Sequence, residues 1–506
     1  MKRVVGMSMK QTKSSCLLLA ATAAMAVGIT ACQSKETKSQ EPLVTVNWVT
    51  LGDDQANAAP VYARVNELLK EKYNLQLKFE TYPAGTYDEK MNMKINSGED
   101  FDLCFTTQNW LNKYPVQVAK GAFLALDAYL EKYPALTKAL PDFLFEQARL
   151  NGSIYAIPNY QISYSSWGFF FRQDIVEEMK QKGISWDYTK VRKHWDAEPY
   201  WKYVKENHPE LIPADGNFYN FDYDLGTVFI NAEQNTMFNK NDPQHKLFQT
   251  ALLDKAKQME WGVGEYHSGI NKRQMWEKGY FRKDIATVKD ESADKASGRF
   301  ASAMGVVKPG GLAEVEKQYG NVKMVQVPIQ KPFIEATGAR SAMTAVNARS
   351  KHPEQALKML EIMNTDKEIF NLLNFGIEGQ NYELVNGKVK KTENSGYFYN
   401  SAWALANQFN ALLQTDQVDG IWEETDRLNR EAEITPILGY SFNTEPVTTE
   451  IAAVSSIRKE FSKWMYEGDF EAKYDQYYAK MKKPGETVLA EAQKQLDQWF
   501  AANGKK

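Results

Sequence analysis

The sequence lacks the short motifs on which nucleotide, metal and nucleophilic chemistry depend. Its 506 residues contain no G-x-x-x-x-G-K-[ST] phosphate loop, and Gly262-Val-Gly264 has His267 where the dinucleotide fingerprint needs its third glycine. The five histidines form no H-x-x-x-H pair, and neither C-x-x-C nor the G-x-S-x-G nucleophile elbow occurs. The 64 acidic residues include no pair marked by an apolar pocket. We therefore expect no metal ion, no other cofactor and no catalysis.

Basic charge is also scarce. The formal net charge is −3, and it becomes −7 once residues 1–31, with four basic residues and no acidic one, are removed. A mildly acidic chain without a basic tail or stripe offers no electrostatic surface to a phosphate backbone. We therefore expect no nucleic-acid partner.

Aromatic residues, in contrast, are abundant. The chain has 12 Trp, 26 Tyr and 25 Phe, in a composition that is otherwise typical of a globular protein. A chain of this length implies about two to four domains, each with its own core. The aromatic side chains exceed what such cores usually require, so we expect some of them to line a binding surface.

The N-terminus has the features of an export signal. Basic residues up to Lys13 precede the apolar run at 16–27, which is too short to span a membrane comfortably. The following sequence, ITAC at 29–32, resembles the bacterial lipobox, which implies cleavage before Cys32 and lipid attachment to it. The polar residues 33–42 are typical of a flexible tether. Only Cys104 then remains, in an apolar run, so we expect it to be buried and unpaired.

The first part of the folded chain has alternating strand and helix patterns. Strand patterns occur at 43–50, 75–80 and 101–105, and helical patterns occupy the intervals between them, at 61–69 and 87–96. This order predicts a parallel sheet covered by helices.

Ligands of such sheets lie beyond the carboxyl ends of the strands. That rule selects Asp53 and Asp54 after the first strand, and Gln108 and Trp110 after the third. The two aspartates have an alternative role as caps of the following helix. Each tryptophan has an alternative place in the core.

Prolines mark two places where the chain leaves one unit for another. Pro158 separates a short extended run from the aromatic strand at 167–171, and a later strand at 322–329 is bounded by Pro328 and Pro332. From about residue 398 the pattern predicts a largely helical region that continues to Gly504.

Several short sequences, in this order, resemble a known family: GAFLALDAYL at 121–130, NGSIYAIP at 151–158 and FFFRQDI at 169–175, all after the lipobox. The family is that of the extracellular solute-binding lipoproteins of ABC importers, in its carbohydrate-type group. Two later stretches, NFGIEGQNY at 374–382 and LGYSFNTEPV at 438–447, are similar to a subgroup of Gram-positive bacteria with an additional C-terminal domain of uncharacterised function.

The resemblance implies an α/β fold with two parallel-sheet lobes, joined by a hinge, and a helical C-terminal part. We expect lobe 1 at 43–162 with 328–376, and lobe 2 at 163–327 with 377–506, after a signal peptide at 1–31 and a lipidated tether at 32–42. The protein would hold a sugar or oligosaccharide between its lobes, facing the outside of the membrane, and would deliver it to ABC permease subunits by hinge closure.

Sugar binding requires aromatic faces, carboxylates, amides and arginine. Besides the four loop residues, placement in the expected cleft selects six more candidates: Tyr164, Trp167, Trp276, Arg340, Glu378 and Gln380. Arg340 has an alternative role in a surface salt bridge. The same sequence is also compatible with four alternative functions: a binding protein for peptides or other small solutes, a surface glycan-acting enzyme, a sensor for a membrane kinase and a structural lipoprotein. We expect a monomer, because the cleft must be free to close.

Overall fold

The computed structural model describes residues 42–216, 227–231, 236–239, 241–288, 291–462, 465–466 and 468–503. The predicted signal peptide, Cys32 and the tether up to residue 41 lie outside the described residues. Within these ranges, no helix has both the length and the apolar character needed to cross a membrane.

The strands, in chain order, are Val44–Leu51 (β1), Leu75–Tyr82 (β2), Leu103–Thr106 (β3), Ala156–Pro158 (β4), Trp167–Arg172 (β5), Thr227–Asn231 (β6), Thr236–Asn239 (β7), Leu247–Gln249 (β8), Ser302–Val306 (β9), Met324–Pro328 (β10), Phe333–Ile334 (β11), Met343–Val346 (β12), Tyr382–Val385 (β13), Lys388–Lys391 (β14) and Glu433–Ile434 (β15).

The α-helices are Ala58–Tyr73 (α1), Ala84–Ser97 (α2), Tyr114–Ala119 (α3), Asp127–Leu130 (α4), Pro134–Ala139 (α5), Asp142–Ala148 (α6), Gln173–Gln181 (α7), Glu198–Asn207 (α8), Lys255–Trp261 (α9), Gly264–Glu277 (α10), Ser292–Ala296 (α11), Gly311–Gln318 (α12), Pro353–Thr365 (α13), Lys367–Phe375 (α14), Ala402–Leu405 (α15), Ile421–Glu431 (α16), Thr448–Ser462 (α17) and Phe470–Asn503 (α18).

The first lobe is built on a five-stranded sheet with the order β2-β1-β3-β12-β4. β1 is parallel to both β2 and β3, as the alternating pattern predicts, whereas β12 runs antiparallel to β3 and β4. Helix α1 covers the sheet with its apolar stripe, which consists of Val61, Val65, Leu68 and Leu69. The predicted β-α-β-α-β unit is therefore confirmed.

The sheet of the second lobe differs from the prediction. Its order is β10-β5-β9, and both pairs are antiparallel. Sequence composition identifies the strands, but their relative direction depends on the long connection between β5 and β9. Phe169 and Phe171 of β5 pack in a buried cluster with Tyr200 and Trp201 of α8, so many of the aromatic residues between 183 and 285 form this core.

Three chain segments join the two lobes. The first runs from β4 to β5 and the second from β10 to β12, and they contact each other through reciprocal backbone hydrogen bonds between Ser165 and Phe333 (N···O 2.8 and 3.1 Å). The third contains β15, which pairs in parallel with β11 of the second segment. Pro158 is the last residue of β4, where the first crossing begins, and Pro328 is the last residue of β10, where the second begins.

The region after residue 376 differs from the prediction in two respects. Most of the stretch at 398–447, which the sequence predicts to be largely helical, is not helical; its α-helices are α15 and α16. Moreover, residues between 382 and 411, including Tyr397, Tyr399 and Leu405, belong to the buried cluster of the first sheet, although the predicted boundary placed them in lobe 2. Tertiary packing of these aromatic residues, rather than periodicity, determines their position.

The C-terminal helices pack at two separate places. The first half of α18, with Phe470, Tyr474 and Tyr477, forms a buried cluster with Phe461 of α17. Its second half packs on the third crossing segment and on β7 and β8, through a cluster that contains Ile437, Tyr440 and Leu496. α18 therefore extends from one cluster to the other.

Candidate functional site

The loops that follow β1 and β3 lie side by side at one edge of the first sheet. Trp48 and Val49 of β1 are in register with Leu103 and Cys104 of β3, and the two strands are parallel. Asp53 and Asp54 are exposed in the first loop. Neither aspartate caps α1, since the N-cap residue is Asn57 and no side chain caps this helix end. Their alternative role as helix caps is therefore wrong.

A segment of the chain that sequence reasoning missed covers the first loop. Residues 396–399 hydrogen-bond to it, through Asn57 N to Gly396 O (2.8 Å) and Phe398 N to Gln55 Oε1 (2.7 Å). The Tyr399 hydroxyl donates to the carbonyl of Leu51, the last residue of β1. This segment fixes the backbone from which the two aspartates project.

The second loop is organised by Thr107. Its hydroxyl oxygen accepts hydrogen bonds from the backbone N–H groups of Trp110 (3.0 Å) and Leu111 (2.8 Å), which makes a compact turn. The turn leaves the Trp110 side chain 50% exposed. Its ring is stacked with that of Trp403, with centroids 6.4 Å apart and an interplanar angle of 25°, and Trp403 packs edge-on against Phe105.

The pair of Trp110 and Trp403 is the most prominent feature of this edge. Sequence reasoning selected Trp110 but not Trp403. A signal was available, because four aromatic residues occur within seven positions at 397–403, just before and in α15. The two aspartates, Gln108 and the two indoles together offer carboxylates, an amide and aromatic faces on one side of the lobe.

Arg340 does not occupy the predicted role of a ligand contact or of a surface salt bridge. Its side chain is fully buried, and its guanidinium donates to the carbonyls of Gln147 (2.5 Å) and Arg149 (2.6 Å). A further donor reaches Oε1 of Gln108 at 3.2 Å. Burial lowers the pKa of Arg340 to about 10. The buried Arg340 side chain thus supports the second loop from the interior of the protein, through its hydrogen bond to Gln108.

Tyr164 lies on the first crossing segment, and Trp167 is the first residue of β5, where that segment ends. Tyr164 is 5% exposed, and burial raises the pKa of its hydroxyl to about 12. Within the described part of the chain this hydroxyl has no hydrogen-bond partner. The carbonyl of Trp167 accepts hydrogen bonds from Ile329 and Gln330 of the second crossing, and its ring is partly exposed.

Three candidates are not brought to the sheet edge by any contact among the described residues. Trp276 packs edge-on against Tyr466 in the second lobe, and its indole N–H donates to the carbonyl of Lys283 (3.0 Å). Glu378 and Gln380 are exposed in the turn that leads into the β13–β14 hairpin. The described residues also contain no cluster of three or more His, Cys, Asp or Glu side chains that could hold a metal ion.

Two sheets joined by three crossing segments, with aromatic and carboxylate side chains at the ends of β1 and β3, are the architecture of a two-lobed solute-binding protein. The chain belongs to the family of bacterial extracellular solute-binding proteins, whose model matches residues 52–369. Residues 436–501 match a further model, described as a domain of unknown function (DUF3502).

Similar proteins span nearly the whole chain. A carbohydrate ABC transporter substrate-binding protein of Streptococcus pneumoniae serotype 4 is 27% identical, over 97% of this chain and 99% of its own. The crystal structure of an N-glycan transport solute-binding protein from S. pneumoniae matches with a TM-score of 0.73 and 23% identity, over 91% of this chain and 99% of its own. An HMO-binding solute-binding protein from Bifidobacterium longum infantis matches with a TM-score of 0.58 and 17% identity, over 92% and 100%.

Proposed function

We propose that this protein is the extracellular solute-binding component of an ABC importer and that it captures a sugar or oligosaccharide between its two lobes. The observation that carries the proposal is the pair of partly exposed indoles, Trp110 and Trp403, beside two exposed carboxylates at the ligand edge of the first sheet.

The chemistry of a sugar fits this edge. A pyranose has an apolar C–H face that stacks on an indole and a rim of hydroxyl groups that hydrogen-bond with carboxylates and amides. Asp53 and Asp54 supply acceptors, and Gln108 supplies an amide. Tyr164 and Trp167 are the proposed contacts from the crossing segment. Trp276, Glu378 and Gln380 stay predictions.

The similar proteins support the class of ligand. The S. pneumoniae N-glycan transport protein has been crystallised with Man1GlcNAc and with Man5GlcNAc, and another S. pneumoniae substrate-binding protein, FusA, with kestose (TM-score 0.54 to this chain). These ligands are chemically different from one another but are all oligosaccharides. The similar proteins therefore support oligosaccharides as the class of ligand, without selecting one particular oligosaccharide.

Transport would follow from hinge closure. A ligand that contacts both lobes stabilises the closed arrangement by its higher affinity for it, and permease subunits would recognise that arrangement. ATP hydrolysis would belong to the partner subunits, since the chain has no phosphate loop. Cleavage before Cys32 and its lipidation would hold the protein at the outer face of the membrane.

The test is a thermal-shift screen of the fragment from Gln33 onward. Man5GlcNAc, kestose, monosaccharides and peptides are added separately, because a ligand that binds only the folded state raises the unfolding midpoint. A shift with one glycan and none with peptides supports the proposal. A shift with peptides alone would transfer the same architecture to a different ligand class, and chemical breakdown of a glycan would indicate an enzyme.

A further inference from the structure

Arg340 joins parts of the chain that are far apart in sequence. It lies in a 3-10 turn at Gly338–Ser341, on the second crossing segment. The loop that follows β3, residues 107–111, is called the ligand loop below. Besides the carbonyls at the end of α6, the Arg340 guanidinium contacts Gln108 of this loop and the carbonyl of Gly439 (Nη2···O 3.2 Å), which lies within the C-terminal domain at 436–501. The Arg340 side chain thus contacts helix α6 of the first lobe, the ligand loop and the C-terminal domain.

The charge of Arg340 is not neutralised by an acidic partner. Among the described residues no carboxylate lies within salt-bridge distance of its guanidinium, whose acceptors are three backbone carbonyls and one amide oxygen. A buried cation without a counter-charge is costly, and an unbranched apolar side chain such as methionine would avoid that cost. What only arginine supplies here is a rigid planar fork of five donors that can serve several acceptors at fixed angles.

The ligand loop is held by Arg340 at two points. The backbone N–H of Gln108 donates to the Arg340 carbonyl (2.6 Å), and its Oε1 accepts from the guanidinium. With Oε1 occupied, the side-chain amide orientation of Gln108 is fixed. Its Nε2 donates to no atom of the described residues, so it stays available to a ligand oxygen. Trp110 follows two residues later in the same turn.

The C-terminal domain meets the first lobe at Gly439. This residue has φ 84°, and a Cβ there would lie 2.6 Å from the carbonyl oxygen of Glu146 in α6. The adjacent Tyr440 packs edge-on against Trp499 of α18, with centroids 5.8 Å apart. The contact between Arg340 and Gly439 is therefore continuous with the docking of the second half of α18.

We propose that Arg340 is a positioning residue that couples the ligand loop to the C-terminal domain, so that docking of residues 436–501 stabilises the binding-competent arrangement of Gln108 and Trp110. The coupling between loop and domain stands on the contacts above. Only its consequence for affinity rests on the proposed function.

The coupling is tested first without ligand, by hydrogen–deuterium exchange in R340K, W499A and the parent chain. Lysine cannot serve the same acceptors, and loss of hydrogen bonds to a charged group is expected to raise exchange at least about tenfold at 107–111 and at 437–440. Trp499 packs on Tyr440 and Phe500, and W499A is expected to raise exchange at 107–111 as well. R172K and W186A are matched controls in the second lobe, where Trp186 packs edge-on against Phe171, and they should leave both segments unchanged.

If R340K does not fold, W499A still decides the question. Exchange at 107–111 that stays at the parent's level in W499A, while 437–440 loosens, would overturn the coupling and leave Arg340 with a local structural role. Increased exchange of both segments in the two controls would overturn it too, since the effect would then be general destabilisation.

The consequence for affinity is tested with Man5GlcNAc or another glycan that binds the parent chain. If Arg340 acts through the loop, the losses of affinity in R340K and W110A will be less than additive in the double variant, because both remove the same arrangement. Additive losses would overturn that step. If no glycan binds the parent chain, the proposed function fails, whereas the exchange measurements still judge the coupling.

Discussion

Replacement of Trp110 with alanine is the most direct test of the ligand edge. The side chain is 50% exposed, so a sugar laid on it would cover about 125 Å² of a residue that presents about 250 Å² in all. At about 25 cal/mol per Å², this coverage contributes about 3 kcal/mol. Because about 1.4 kcal/mol corresponds to a factor of ten, we expect W110A to weaken glycan binding about 100-fold.

Folding should be affected much less than binding. The ring is already half in water and its aromatic contact is the stack with Trp403, so we expect W110A to lower the free energy of unfolding by about 1 kcal/mol or less. W110F keeps a flat aromatic face and should recover part of the lost affinity. Titration calorimetry with the glycan found in the screen measures affinity, and thermal unfolding monitors the fold.

The matched control is W261A. This ring packs edge-on against Phe248 in another part of the chain, with centroids 5.3 Å apart, and should leave affinity unchanged. An affinity of W110A equal to that of the parent, with an intact fold, would refute stacking at this edge. A loss of affinity of the same size in W261A would show that the effect is not specific to the edge.

Three further changes test the fold, its pH dependence and the anchor. G52A places a Cβ 2.5 Å from the Tyr399 ring and should lower stability by about 1–3 kcal/mol in denaturant titrations, whereas G85A meets nothing within 4 Å and should not. The lysine and tyrosine hydrogen bonds of Glu178 lower its pKa from 4.5 to about 2. Its contribution to stability is therefore full above pH 4.5 and is lost as the pH falls towards 2, so E178Q and the parent should converge in acid. C32S should move the protein from the membrane to the soluble fraction, and C104S should not.

The position of the four loop residues could be predicted because ligands of parallel sheets lie beyond the carboxyl ends of the strands. Asp53, Asp54, Gln108 and Trp110 follow parallel strands, and the structure brings their loops to one edge. Trp403 was missed because its helix α15 has only four residues, too few for a periodic pattern. Its position follows from packing against Phe105.

Arg340 could not be interpreted from sequence, because its role depends on acceptors from four other positions. The local sequence does not distinguish an arginine that is exposed to solvent from one that is buried and hydrogen-bonded to backbone carbonyls. The direction of the second sheet was misjudged for a related reason. The strand at 167–171 is evident from its residues, but whether its neighbours run parallel or antiparallel depends on a connection of more than a hundred residues.

The crossing segments determine how a movement of the two lobes would be transmitted to the C-terminal domain. The first and second are hydrogen-bonded through Ser165 and Phe333, and β15 of the third pairs with β11 of the second, so we expect the three to move together. The domain begins directly after β15, and Gly439 N donates to Ala336 O (2.9 Å) of the second crossing. A rotation of the lobes that shifts these crossings must therefore also shift residues 436–440. For that reason Arg340, on the second crossing, can connect the state of the ligand loop to a domain that lies outside the two sheets.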